Sequence, residues 1–390
     1  MNRGQYVFSQ LMNILDSNEF NRCVERYKGN YRVRSFSCWH QFLSMSFGQL
    51  AQKQSLRDTV LCLNSHENKL YHLGITHGVS RSTLSEANEN RDYRIYQDFA
   101  QSLIHEARAL YGDTDDTNLG LSNNIYAVDA STIDLCLSVF WWTPFRKTKA
   151  AIKLHTQVDI KCAIPTFIHI SDGKMHEVNS LDIVDYEINS FYIFDKGYTD
   201  FDRFFQLHQK GAFFVIRAKD NLSYRRLYSR QVDKSLGLKF DQTILLLTPK
   251  SSKDYPEKLR LVKYYDKELN KTFCFLTNNF EIDAITVALL YKNRWKIELF
   301  FKWIKQHLKV LTFWGQNKNA VYTQIWIAIC NYLLIAIWRK KLNSLHSMYE
   351  ILQILSVSLF DKTPVNQLLM KNDLLKTELP FSNQLKMWEL

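Results

Sequence analysis

The sequence predicts an α/β protein whose mixed sheet is flanked by helical segments at both ends and interrupted by an all-β insert. Three patterns predict it. Apolar residues recur at helical spacing through the first hundred residues and again after Glu281; short β-branched and aromatic runs between about 125 and 216 enclose one helix; and 218–280 carries brief alternating runs among Lys, Asp, Asn, Ser and Pro.

In the first segment the helical spacing passes through Phe42, Met45 and Leu50 and then Leu56, Val60, Leu61 and Leu63, with Leu73-Gly74 as a stop. Thr83 with Glu86 three residues on is a capping signal, predicting one helix that runs through Tyr93, Tyr96 and Phe99 to Ala109. Its opening turns carry Arg81, Ser82, Thr83, Ser85, Asn88, Asn90 and Arg91, residue types that reach phosphates and base edges. A recognition helix and a well-capped solvated helix both fit that pattern. The polar stretch Gly112 to Asn124 marks a boundary.

Strands are expected at Ile125–Val128, Lys153–Ile160, Pro165–Ser171, Phe191–Phe194 and Phe213–Ile216, with a helix over Asp202–Lys210 stopped by Gly211. The insert should hold strands at Thr243–Leu247, Leu259–Tyr265 and Thr272–Leu276. The expected organisation is a helical domain over 1–115, a first part of the core over 116–217, the insertion over 218–280, a core helix segment over 281–340 and a helical C-terminal region over 341–390. In that last region, Ile351, Leu352, Ile354 and Leu355 suit core packing, with a dimer contact as the other use.

The 390 residues, 46% of them apolar, suffice for two or three folded domains. Fifty Lys and Arg against 39 acidic residues give a net charge of +11, which attracts polyanions without specifying one. Seven scattered cysteines with no Cys-x-x-Cys pair point to a reducing compartment, and the N-terminus lacks an apolar export signal, so a cytoplasmic protein is expected. The apolar run Ile325 to Trp338 is shorter than the roughly 20 residues that cross a bilayer, and it is broken by Asn331; a buried helix and no membrane partner are expected.

The chemistry-bearing signal lies after the insert. Read as one α-helix, Tyr291, Arg294, Glu298 and Lys305 fall at roughly 0°, 300°, 340° and 320°, inside one arc of about 60°. The neighbouring arc, Leu290, Ile297, Phe301, Ile304 and Leu308, is apolar, and Trp295, Leu299, Phe300 and Trp303 cover most of the rest, so the helix is expected to be mostly buried. A carboxylate flanked by Arg and Lys there is either an internal salt-bridge network or part of a site. Asp129 and Asp195 each close an apolar run, Tyr126-Ala127-Val128 and Tyr192-Ile193-Phe194. Strand-end carboxylates lie where open α/β sheets place their sites, although each alone is commonly a turn residue. With Glu298 swung in, three carboxylates would form an all-oxygen pocket for Mg²⁺ or Mn²⁺, able to promote in-line attack on a phosphate. Asp134, five residues from Asp129, should face the other side of the sheet. Zinc, phosphate-loop and Gly-x-Ser-x-Gly motifs are absent from the sequence.

Tyr291 to Glu298, continuing through Phe301-Lys302 to Lys305, resembles the Tyr-Arg-Glu-Lys signature of bacterial insertion-sequence transposases of the insertion-sequence-four family. Ala127 to Thr132 resembles that family's first-aspartate block, Phe194 to Tyr198 its second, and Phe8 to Arg91 the helical N-terminal domain of one subgroup. The resemblance implies a ribonuclease-H-like core that binds two Mg²⁺ through Asp129, Asp195 and Glu298. It further implies phosphate contacts by Tyr291, Arg294 and Lys305, and a dimer that pairs two inverted-repeat ends of double-stranded DNA and joins them to target DNA. Two departures stand out. Lys196 occupies a position where Arg is common, giving up a bidentate grip. No Trp lies between Trp142 and Trp295, which leaves the base-stacking role of a hairpin route to Tyr255, Tyr264, Tyr265 or Phe273. An end-binding regulator without catalysis and a metal nuclease are the competing readings.

Overall fold

The computed structural model describes residues 4–112, 114–117, 119–146, 149–307 and 313–370; Leu308 lies outside them. Two compact units emerge, Met1–Leu110 with Ile304–Leu390, and Tyr111–Trp303.

The first unit begins with α1 (Val7–Met12), α2 (Ser17–Arg26), α3 (Cys38–Leu50), α4 (Leu56–Asn64), α5 (Glu67–Leu70), α6 (Arg81–Asn90) and α7 (Arg94–Tyr111). Phe20 anchors them, its ring 5.6 Å from Phe42 and 5.0 Å from Phe99. Gly48 lets α3 approach closely, since a Cβ there would stand 2.5 Å from the Thr59 hydroxyl and 2.8 Å from Trp314. The helix expected from Thr83 to Ala109 is two helices. Ser80, not Thr83, caps α6, accepting from the Thr83 amide at 3.4 Å. Arg91 is extended, and Asp92 then accepts from the Arg94 amide at 2.9 Å to open α7. A second capping side chain inside the apolar repeat restarts the helix.

The second unit is built on one sheet, made of β1 (Ile125–Cys136), β2 (Pro144–Arg146), β3 (Lys149–Asp159), β4 (Ile164–Asp172), β5 (Phe191–Phe194), β6 (Phe213–Arg217), β7 (Tyr224–Arg230), β8 (Leu238–Leu246), β9 (Leu259–Asp266) and β10 (Lys271–Thr277). β4, β3 and β1 pair antiparallel, then β1, β5 and β6 run parallel. That order, β4-β3-β1-β5-β6, is a ribonuclease-H-like core. The insert does not stand apart. β10 pairs with β6, and β9, β8 and β7 follow, so the insert continues the core sheet; it also holds a short helix, α9 (Pro249–Asp254). β7 escaped the sequence reading because Tyr-Arg-Arg-Leu-Tyr-Ser-Arg offers little apolar alternation.

Strand parity divides the sheet into two faces. Tyr126, Val128, Tyr192, Phe194, Phe214 and Ile216 join a buried cluster with Phe204 and Leu207 of α8 (Phe201–Gln209). The opposite face, which carries Ala127, Asp129, Ile193 and Asp195, packs against α10 (Ala284–Lys292) and α11 (Trp295–Lys302). Asp134 has the other parity and is exposed, as expected. Asn278 seals the join between core and insert. Its amide accepts from the Phe214 amide and donates to the Ala212 carbonyl, both at 2.9 Å, in place of a strand partner.

The chain returns to the first unit with α12 (Lys318–Lys341), α13 (Met348–Ser358) and α14 (Val365–Met370). α12 has the length and apolarity to cross a membrane, yet its apolar window is entirely buried within the protein. Gln49 of α3 donates to its Gln324 carbonyl at 2.9 Å and accepts from the Asn331 amide nitrogen at 2.8 Å, so half of the polar break that the sequence shows is paired while the Asn331 Oδ1 stays buried without a partner among the described residues. Ile351, Leu352 and Leu355 of α13 are buried, and Ile354 is half-buried.

Asn278→Ala should strand a buried donor and a buried acceptor. A loss of about 2–4 kcal/mol is expected in urea unfolding of the full chain, with the β6–β10 amides losing hydrogen-exchange protection first.

Candidate active site

β1 and β5 are paired in parallel up to Val128 and Phe194, so Asp129 and Asp195 follow side by side on strands about 4.8 Å apart. Asp195 does end its strand. Its Oδ2 accepts from the Gly197 amide at 3.4 Å, capping the short turn Lys196–Tyr198. Asp129 does not: β1 continues to Cys136 because its antiparallel pairing with β3 outlasts its parallel pairing with β5. Asp129 sits where one strand partner stops, and its Oδ1 accepts from the Ala130 amide at 2.8 Å.

The helix expected across Tyr291 to Lys305 is also interrupted. α10 ends at Lys292, a tight turn follows in which the Arg294 amide donates to the Tyr291 carbonyl at 3.1 Å, and α11 begins at Trp295. The segment then passes into a π-helical turn, Trp303–His307, that carries a half-buried Lys305. Burial is one-sided: Ile297, Phe300 and Phe301 are buried, whereas Trp295 and Leu299 are more than a third exposed. Lys296 fastens α11 to the sheet unit, donating to the Ile160 carbonyl at 2.8 Å and the Asp116 carbonyl at 3.2 Å. Nothing in its spacing announces that role.

The turn aims two side chains at the two aspartates. Tyr291 packs its ring 4.9 Å from Phe275 and donates its hydroxyl to Asp195 Oδ1 at 3.2 Å. Arg294 donates to Asp129 Oδ2 at 2.9 Å and to Glu298 Oε1 at 2.5 Å. The Arg294 and Asp129 side chains are 16% and 18% exposed, that of Glu298 56%, so the first ion pair is the sheltered one. Arg294 thus stands between two of the three acids, and Tyr291 is tied to the third.

The electrostatics follow from burial. Desolvation pushes the Asp129 carboxyl up to about 6; Arg294 and the Ala130 amide pull it back, while Asp195 and Glu177 raise it further. Burial pushes the Tyr291 hydroxyl up to about 12, with Asp195 adding to the rise. Burial works against the Arg294 charge, but Asp129, Tyr291, Glu298 and Asp195 outweigh it and raise its pKa. Glu177, on a short 3-10 turn 3.7 Å from Lys153, is a fourth acid in this field that the sequence reading missed. Only the tertiary fold brings it near.

Among the described residues, no group of three His, Cys, Asp or Glu side chains is spaced to hold a metal ion. The donor chemistry nevertheless suits a hard cation: three carboxylates, two on adjacent strands and one on the covering helix, with a guanidinium now between Asp129 and Glu298. Lys196 is exposed beside Asp195. In the helical unit Arg81 is exposed, but Arg91 is engaged, donating to Gln41 at 3.0 Å and to the Phe36 carbonyl. Asn88 also turns inward, accepting from Gln41 at 2.8 Å. Of the residues proposed for base stacking, Tyr255 is buried against His208, whereas Phe273 lies on the aspartate face beneath Arg217.

A ribonuclease-H-like sheet with aspartates on two neighbouring parallel strands and a glutamate on the helix across them has the layout of a DDE-type domain. Residues 121–334, more than half of the chain, match the family described as "Transposase DDE domain", and the chain belongs to that family. Residues 3–76 match a "Domain of unknown function (DUF4372)". The chain is 33% identical over 201 residues to "Putative transposase y4zB" of Sinorhizobium fredii, covering 50% of this chain and 56% of the relative. It is 29% identical over 216 residues to "Probable transposase for insertion sequence element IS5377" of Geobacillus stearothermophilus, covering 53% and 55%. A third relative, "Putative transposase for insertion sequence element IS4SA" of Synechocystis, is 24% identical over 264 residues, covering 66% and 71%. The chain therefore spans about half the length of the first two relatives.

Arg294→Gln removes the counter-charge of a sheltered carboxylate and should cost about 1–3 kcal/mol in metal-free denaturant unfolding. Adding Asp129→Asn should recover part of that loss. Additive losses in this double-mutant cycle would show that the two groups do not interact.

Proposed function

We propose that the chain is a cut-and-paste DNA transposase of the insertion-sequence-four, Tyr-Arg-Glu-Lys branch, with Asp129, Asp195 and Glu298 as ligands of Mg²⁺ or Mn²⁺. The observation that carries the reading is the convergence of Tyr291 on Asp195 and of Arg294 on Asp129 and Glu298, across as many as 165 residues of chain. A pair of neighbouring aspartates on one sheet face is electrostatically unfavourable without a cation, and such a pair suits a site that recruits one.

In this reading Glu298, the most exposed of the three acids, turns toward the aspartates when Arg294 releases Asp129. Bound there, divalent ions would stabilise charge on the attacked phosphate and on the leaving oxygen. Arg294 then offers its planar fork to a phosphate of the cleaved strand, the geometry at which a guanidinium is strongest. Tyr291 keeps Asp195 oriented through its hydroxyl. Lys305, Lys196 and Arg81 supply further phosphate contacts, while Arg91, held by Gln41 and Phe36, supports its helix instead. The expected partners are double-stranded inverted-repeat ends and target DNA, paired by a homodimer in the bacterial cytoplasm. One observation favours the non-cutting alternative, an end-binding regulator: Arg294 already fills the space between Asp129 and Glu298.

The test is strand transfer by purified chain with Mg²⁺, DNA ending in its own inverted repeats, and a target plasmid. Insertion should occur with the parent and fall to background with Asp129→Ala, Asp195→Ala and Glu298→Gln. Insertion that survives one substitution removes that residue from the site; end binding without nicking by the parent selects the regulator, and cleavage without joining of pre-cut ends selects a nuclease.

A further inference from the structure

The insert strand β7 closes one end of the sheet order, so one of its long edges has no strand partner among the described residues. An open edge presents a row of backbone donors and acceptors that folded proteins cover or blunt. This edge is long and carries Arg225, Arg226 and Arg230 with no acidic residue. Tyr224 and Arg230 at its ends are half-buried; the five residues between them are exposed, including Leu227 at 42% and Tyr228 at 62%.

The three arginines are not equivalent. Arg230 is committed to the fold, 3.5 Å from buried Asp241 and over the ring of Phe280. The side chains of Arg225 and Arg226 have neither an ion-pair nor a hydrogen-bond partner among the described residues. A register shift between Arg226 and Tyr228 interrupts the pairing with β8. Arg225 and Tyr228 pair with Leu245 and Thr243, on the face that carries Asp129 and Asp195, whereas Arg226 pairs with Ile244 on the opposite face. The two unpaired guanidinium groups therefore straddle the edge.

We infer that the β7 edge is a docking surface for the sugar-phosphate backbone of duplex DNA, with Arg225 and Arg226 as its phosphate contacts. This rests on the transposase reading, which makes DNA the polyanion at hand. Seven extended residues span about 23 Å, which matches about seven base-pair steps of a duplex at 3.4 Å each. Addition of a second copy's β7 to the edge is disfavoured, because it would set the four unpaired arginines of the two copies together. Guanidinium groups on both sides of the strand fit a sequence-independent contact with phosphates.

The experiment measures binding of the full-length chain to a fluorescent duplex of arbitrary sequence by anisotropy, in EDTA, across a salt series. Arg225→Gln/Arg226→Gln is compared with the parent and with Lys174→Gln/Lys210→Gln, which removes the same charge from other exposed positions of the sheet unit. The β7 variant should bind at least about tenfold more weakly near 0.1 M salt, and its log–log salt slope should fall by about 2, while the control changes by less than half as much. An unchanged slope, or an equal loss in both variants, overturns the proposal. A β7 variant that keeps full affinity but aggregates shows that the arginines only guard an open edge, which overturns it equally. Cleavage does not enter the readout, so failure here and failure of the strand-transfer test remain distinguishable.

Discussion

Two aspartates that follow neighbouring parallel strands on one face of a sheet repel each other, and burial adds to the cost of charging Asp129. Everything around them answers that constraint. The fold sets a helix–turn–helix across the sheet where the pairing of β1 with β5 stops, so that it delivers Arg294 to Asp129 and Tyr291 to Asp195. Lys296 and Ile297 fix the second helix, the first through two carbonyls of the sheet unit and the second through burial. Arg294 serves as an internal cation that makes the acid pair tolerable, with Glu298 as its second partner. An ion pair in such a place costs desolvation on both sides, and its survival in a fold suggests a use beyond stability.

The sheet was legible wherever its strands were apolar. Ile125–Val128, Phe191–Phe194 and Phe213–Ile216 announce themselves because parallel central strands are buried on both faces. β7 was missed because an edge strand need not be apolar, and its arginines disguise it. The helix boundaries failed for a different reason. Periodicity registers an apolar stripe but not the short turn that interrupts it, so Thr83 to Ala109 and Tyr291 to Lys305 each read as continuous. In the first case Asp92, a capping residue, was the available signal; in the second it was Asn293, which ends α10 and donates to the Leu289 carbonyl at 3.0 Å, a weaker signal than Gly or Pro.

The convergence of the acids was legible only in part. The apolar runs that precede them put Asp129 and Asp195 together, helical spacing set Glu298 in a stripe with Tyr291 and Arg294, and the signature resemblance implied its role as the third ligand. The interruption at Asn293 splits the expected stripe: Tyr291 and Arg294 hold carboxylates of the protein itself in this structure. Lys196 remains exposed beside Asp195, Tyr255 is buried against His208, and Phe273 lies beneath Arg217.

The proposal that Asp129, Asp195 and Glu298 hold a divalent ion puts Arg294 in that ion's place. Anomalous diffraction from crystals of the full-length chain soaked in Mn²⁺ measures this directly. The account predicts an anomalous peak at the site that Asp129, Asp195 and Glu298 would form, with the Arg294 guanidinium drawn away from Asp129. An undisturbed Arg294–Asp129 pair with no peak at saturating Mn²⁺, with or without bound DNA, would contradict it.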